Sequence, residues 1–264
     1  MELGLLSILL VLILVVVTLF SPIGLGGGLL FVPIFHYIGG IDLDASIVLS
    51  VSMVFCVAAG SGLAHSEADM VKTPRVKEAI FFAIPLAFIG AIFTNWLVDE
   101  LIVKILTFLL TSWVLWNTYV RLNSNLEIKD KSDYSSTSYR AVCGTGGLAT
   151  GMLGIGGGAL YVTANRNWGG MTVKKSAGTA FIIAMCVQPF ALGSHLLFGS
   201  GFNTLIDEIG LVVYSLMLVI VGVVAFNSGK YSIHFLSEVA ITRIFVFMIS
   251  LSMLRYLADI IGIL

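Results

Sequence analysis

The run Ser21-Pro22-Ile23-Gly24-Leu25-Gly26-Gly27-Gly28 decides how this chain is read, because it returns as Gly154-Ile155-Gly156-Gly157-Gly158. The two runs stand 130 residues apart (154 − 24), and the residues after them match in the same register: Leu30 with Leu160, Val32 with Val162. Three consecutive glycines are poor helix material, since each loses more backbone freedom on ordering than any other residue. Both runs interrupt strongly apolar sequence. A helix that breaks inside a membrane exposes N–H and C=O groups, which is tolerated only where they line a cavity or meet a ligand. Two such breaks at corresponding places in two halves point to the binding site of a membrane carrier.

The rest of the composition agrees. Of 264 residues, 58% are hydrophobic and 11% charged, against about 25% charged in an average soluble domain, so an integral membrane protein is expected. Lys plus Arg number 14 and Asp plus Glu 15, with a net charge of −1. No basic patch is large enough to hold a phosphate backbone, so nucleic acid is excluded as a partner. The three cysteines, Cys56, Cys143 and Cys186, lie in apolar segments without C-x-x-C spacing, which argues against a disulfide framework or a zinc site. No metal and no cofactor are expected. The N-terminal Leu3–Phe20 lacks the basic flank and small-residue cleavage site of a signal peptide and is read as retained structure.

Spanning helices need about 20 apolar residues. Eight hydrophobic blocks meet or approach that: 3–20 continuing as 29–38, then 45–64, 79–97, 101–120, 140–153 continuing as 158–164, 173–198, 205–226 and 235–260. Four precede and four follow a Ser-, Lys- and Asp-rich stretch, which gives an N-terminal repeat over residues 1–122, a surface linker over 123–138 and a C-terminal repeat over 139–264. Ser46 with Ser176, Cys56 with Cys186 and His65 with His195 keep the 130-residue register.

Charges in the connections suggest the orientation. Lys72, Arg75 and Lys77 follow the second block, Arg121, Lys129, Lys131 and Arg140 the fourth, Arg166, Lys174 and Lys175 the fifth, and Lys230 the seventh. Asp42 with Asp44, Asp99 with Glu100, and Asp207 with Glu208 mark the others. The positive-inside rule puts the first group in the cytoplasm and the second outside. Both connections around the fifth block then fall inside, so that block is expected to enter and return at its glycine break. The fold class expected is an all-α polytopic membrane protein of two inverted four-segment repeats, each with a re-entrant, glycine-broken first segment. Its rival is eight plain crossings with parallel halves, which violates the charge rule.

Where a broken helix restarts, its first N–H groups are unpaired and its dipole presents partial positive charge, so an anion is the natural occupant. Gly26, Gly27, Gly28, Gly156, Gly157 and Gly158 are the candidate binding residues, the alternative being close helix packing alone. Ser50, Ser52 and Thr179, on the helices after the breaks, can donate hydroxyls to an anion or bond back to a carbonyl one turn earlier. Cys56 and Cys186 are small core fillers or polarizable contacts to a sulfur-containing substrate. Gln188, beside Pro189, is a polar group deep in a span that caps broken backbone or faces the site. His65 and His195 are candidates for proton coupling, against the commoner role of a helix-end histidine.

The motif Gly24-x-Gly-Gly-Gly-x-Leu-x-Val-Pro33, the later Gly-Met-Leu-Gly-Ile-Gly-Gly-Gly158 and the duplicated four-block layout resemble the sulfite exporter TauE/SafE family, also called the toluene-sulfonate uptake permeases. The resemblance covers most of the chain from Ser21 onward. It implies a multi-pass inner-membrane carrier for sulfite, sulfonates or related organic sulfur anions. The first half has Leu49-Ser50-Val51-Ser52 where the family has a Gly-Thr-Ser stretch, and the second keeps Gly178-Thr179 before Ala180, so the particular anion stays open. The expected function is secondary transport by alternating access around the two breaks, with a small anion and the lipid bilayer as partners and a homo-oligomer left open. An ATP-driven pump is unsupported, because the G-x-x-x-x-G-K-[ST] phosphate loop is absent. The alternatives are an anion channel and an intramembrane hydrolase, for which Ser61 in Ala59-Gly60-Ser61-Gly62 is the candidate nucleophile.

Overall fold

A computed structural model describes residues 3–97, 100–123, 134–235 and 237–262. Asp99 and positions 124–133, most of the expected linker with Lys129 and Lys131, lie outside them. Every regular element among the described residues is helical. α1 (Leu3–Phe20) leads through the first glycine run into α2 (Gly28–Pro33), which continues as a π-helical turn over Ile34–Ile38. Then come α3 (Leu43–Glu67), α4 (Thr73–Leu97) and α5 (Glu100–Asn123). The second glycine run separates α6 (Ser136–Leu153) from α7 (Gly158–Asn167). They are followed by α8 (Val173–Phe198), α9 (Gly201–Ile209), α10 (Leu211–Phe235) and α11 (Glu238–Ile260).

Local chemistry explains most boundaries. Asp42 caps α3, its carboxylate accepting from the Asp44 and Ala45 amides at 2.9 and 3.3 Å. The block expected over 205–226 is instead divided: Gly210, at φ 80° and ψ 145°, holds a conformation open only to glycine and separates α9 from α10.

Among the described residues, five helices are long and apolar enough to cross a membrane: Leu43–Glu67, Thr73–Thr94, Leu101–Val120, Val173–Phe198 and Leu211–Tyr231. Burial covers 78% of the apolar window of α3 and 44% of that of α8, against 33%, 28% and 22% for α4, α5 and α10, so α3 and α8 form the interior. The outer helices expose Phe81, Val212 and Leu216, an apolar surface suited to lipid rather than water.

Small residues let some helices meet backbone to backbone. On α6, side chains at Gly147 and Gly151 would run into the Ala83 and Ala87 carbonyls of α4, and Gly60 of α3 stands equally tight against the Gly222 carbonyl of α10. Such seams replace the hydrophobic driving force that lipid withholds. Each joins a helix before the linker to one after it.

Both glycine-broken segments fold back on themselves. Near the start of α6, Tyr139 donates its hydroxyl to Asn165, near the end of α7. In the first segment Leu9 of α1 lies against Gly39, just past the π-turn. The ends of the two hairpins lie at opposite poles of the bundle. Around the second, Glu78 of α4 binds Arg75 and Arg140, both at 2.8 Å, and accepts from Tyr134 and Ser136; Lys230 pairs with Glu67 at 2.9 Å. This pole is basic. At the other pole Asp42 and Asp44 begin α3, whose start packs on α9, the helix carrying Asp207 and Glu208.

Candidate functional site

The two glycine runs adopt the same backbone. Positive φ recurs at Gly24, Gly26 and Gly27 (82°, 71°, 85°) and at Gly154, Gly156 and Gly157 (65°, 77°, 59°). Side-chain-bearing residues resist this left-handed region. The match continues downstream: Ile41 N donates to Phe35 O as Met171 N donates to Asn165 O, and the Ser46 hydroxyl to Ile41 O as the Ser176 hydroxyl to Met171 O.

The runs also touch each other reciprocally. A β-carbon on Gly28 would lie 2.5 Å from the carbonyl of Ile155, and one on Gly158 would lie 2.6 Å from the carbonyl oxygen of Leu25. Residue for residue these are one contact made twice. Val54 of α3 covers the crossing, its Cγ1 being 2.8 Å from a β-carbon on Gly26 and 2.6 Å from one on Gly156. An aromatic ring four residues past each third glycine closes the flanks, Phe31 against Gly27 and Tyr161 against Gly157. A cavity beside Gly157, bordered also by Leu110 and Val114 of α5, is only about 10 Å³, roughly one water. The crossing is shut.

Among the described residues, no acceptor pairs with the amides of Gly26, Gly27 and Gly28, or of Gly156, Gly157 and Gly158. Gln188 of α8 reaches this place. It is wholly buried, its Nε2 lies 3.1 Å from where a Gly156 side chain would begin, and neither Nε2 nor Oε1 has a hydrogen-bond partner among the described residues. A buried amide left unpaired costs about 1–3 kcal/mol. The crossing therefore combines unpaired donors with an unpaired carboxamide, a set able to take an oxyanion.

The other residues singled out from the sequence divide into two groups. Ser50 is at the crossing, its hydroxyl donating to Gly154 O at 2.7 Å. His195 is close by, with Nε2 2.9 Å from Gly151 O in the last turn of α6. The remaining ones face elsewhere. Ser52 donates to Val48 O and accepts from Tyr214 of α10. Thr179 accepts from the Lys72 amide at 3.0 Å and secures the turn into α4. Cys56 lies against Gly222, Cys186 is half-buried, and His65 contacts Ser61 O of its own helix and the Phe181 ring. Val54 carried no sequence signal, because only the tertiary fold sets it over both runs. Phe31 and Tyr161 did carry one, being aromatics in the 130-residue register.

Apolar helices facing outward, two hairpins broken at glycine and a buried polar crossing between them define a polytopic membrane protein. The chain belongs to the sulfite exporter TauE/SafE family, whose model matches residues 9–256. No curated protein and no solved structure matches it. Membership makes it a permease of the sulfite-exporter type.

Proposed function

We propose that the chain is a secondary transporter of small sulfur oxyanions, sulfite or sulfonates, which binds them at the crossing of the two glycine runs and alternates access around it. The observation that carries this is the buried Gln188 carboxamide, unpaired beside the unpaired amides of Gly156–Gly158. Backbone donors and an amide bind an anion in low dielectric without importing a fixed charge.

The reading includes an inverted repeat. With α11 taken as a sixth crossing beside the five apolar helices, each half has three (α3, α4, α5 and α8, α10, α11), an odd number that reverses the second half relative to the first and accords with hairpin ends at opposite poles. The reciprocal Gly28–Ile155 and Gly158–Leu25 contacts support a two-fold relation. The shut crossing favours a carrier over an open channel. A hydrolase gains nothing from Ser61, whose hydroxyl donates to Ala225 O at 3.1 Å and not to a histidine. Of the two proton-coupling candidates, His195 is the better placed, since it holds the carbonyl three residues before Gly154.

The test is uptake into proteoliposomes of labelled sulfite, sulfate, thiosulfate and taurine, with and without a pH gradient. Saturable uptake of one sulfur anion is expected. Unitary currents, or no uptake of any of the four, would overturn the reading.

A further inference from the structure

We infer a second anion site, separate from the glycine crossing, in the cavity between the π-helical turn and α11; it takes an oxyanion carried on a short apolar body. The cavity holds about 200 Å³ and is walled by Leu30, Pro33, Ile38 and Leu251, with Tyr37 and Arg255 at one side. The Arg255 guanidinium carbon stacks 3.7 Å above the Tyr37 ring, and the Lys104 amine stands 5.6 Å from the same ring. Arg255 Nη1 is buried and has no hydrogen-bond partner among the described residues.

An arginine nitrogen withdrawn from water without an acceptor is costly, and an anion relieves that cost. Stacking on Tyr37 fixes the plane of the guanidinium, whose paired N–H groups match the two oxygens of a sulfonate, carboxylate or phosphate. The aliphatic wall matches an apolar body and offers nothing to a bare hydrated ion. Both cations sit at the acidic pole, where membrane anchoring gives no reason for basic residues. The cavity's own shape has a local cause. Gly39 N bonds to Ile34 O, a span of five residues, so the helix widens directly after Pro33; π-turns of this kind often mark functional sites. The second half repeats the wide bond, from Gly169 N to Ala164 O, but not the proline and the stacking ring, because Pro33 and Tyr37 correspond to Thr163 and Asn167. The site is therefore not the crossing seen twice. It lies along α2, beginning at Leu30, three residues past Gly27, and opens where Ile38 is 48% exposed.

The anionic head can belong to a free solute or to a lipid, and one experiment separates them. The full chain is placed in nanodiscs of phosphatidylcholine and titrated calorimetrically with butanesulfonate, using wild type, Gln188→Leu, Arg255→Gln and the double variant; the series is repeated with one-fifth phosphatidylglycerol. Binding is expected to persist in Gln188→Leu and to weaken at least tenfold when Arg255→Gln is added. Abolition by phosphatidylglycerol identifies a lipid headgroup as the occupant, and indifference to it identifies a solute; either result supports the site. If Arg255→Gln does not fold, Leu251→Trp, at a half-exposed wall position, fills the cavity and is expected to produce the same loss. Unchanged binding when Arg255→Gln or Leu251→Trp is added to Gln188→Leu in folded protein overturns the inference, as does loss of all binding in Gln188→Leu alone. Failure of the crossing as a transport site would leave the Arg255 result intact.

Discussion

The Tyr139 hydroxyl and Asn165 Oδ1 meet across 2.9 Å, closing the α6–α7 hairpin at its open end. Asn165 then donates through Nδ2 to Ser176 O at 3.0 Å, tying the hairpin to α8. Both side chains are wholly buried. Tyr139→Phe removes the donor and leaves a buried acceptor with one partner fewer, a loss of about 1–3 kcal/mol. A lowered melting temperature in detergent is expected; an unchanged one would mean that the hairpin is held elsewhere.

The proposed topology has this hairpin return to the side it entered from. Thr137 lies in the first turn of α6 and Lys175 follows α7, and both are exposed. In a background lacking native cysteines, Thr137→Cys and Lys175→Cys are expected to react with an impermeant maleimide from the same side of the membrane, with Asp44→Cys reacting from the other. Labelling of positions 137 and 175 from opposite sides would establish a plain crossing and parallel halves.

Gly28 and Gly40 separate close approach from backbone strain. Gly40 also has positive φ, 64°, but a β-carbon there meets nothing within 4 Å. Gly40→Ala is expected to cost about 1–2 kcal/mol for the left-handed conformation and to keep transport. Gly28→Ala forces the two loops apart at Ile155 and is expected to abolish transport in protein that still folds. Equal transport by the two variants would remove the crossing from the mechanism.

Gln188→Leu gives stability and function opposite signs. Removing an unpaired buried amide is expected to leave thermal stability unchanged or raise it, while affinity for the anion falls by about 1–3 kcal/mol, roughly 5- to 150-fold. Melting curves and equilibrium binding of the same preparation decide. A drop in both would assign Gln188 to packing.

At the basic pole, Glu78 is shared by Arg75 and Arg140, and its side chain is only 15% exposed. Glu78→Gln keeps the shape and removes the charge, leaving two guanidinium groups facing each other. Destabilisation of about 1–3 kcal/mol is expected, partly recovered by a second change, Arg140→Gln. Stability equal to wild type would show the cluster to be solvated decoration.

The sequence already displayed whatever depends on local chemistry. Glycine runs in one register announced their shared backbone, and apolar stretches such as Val173–Phe198 announced helices with nearly their final bounds. Gln188 was visible as a polar residue in an apolar span. What stayed hidden depends on partners distant in the chain. Ser50 and Ser52 are two residues apart on α3, yet one turns to Gly154 and the other to Tyr214, a choice made by the helices around them. The widened turn after Pro33 and the division at Gly210 were equally silent, since a single proline or glycine in apolar sequence is compatible with an unbroken helix.

The glycine and alanine seams bear on what the movable parts of this protein are. α6, with its hairpin, is locked onto α4, and α3 onto α10, so neither rigid piece coincides with a stretch of sequence before or after the linker. Severed between 123 and 134, the gene would yield two fragments, each displaying a trough shaped for a ridge the other carries. Synthesised separately they should be degraded; made together in one cell, they should reassemble.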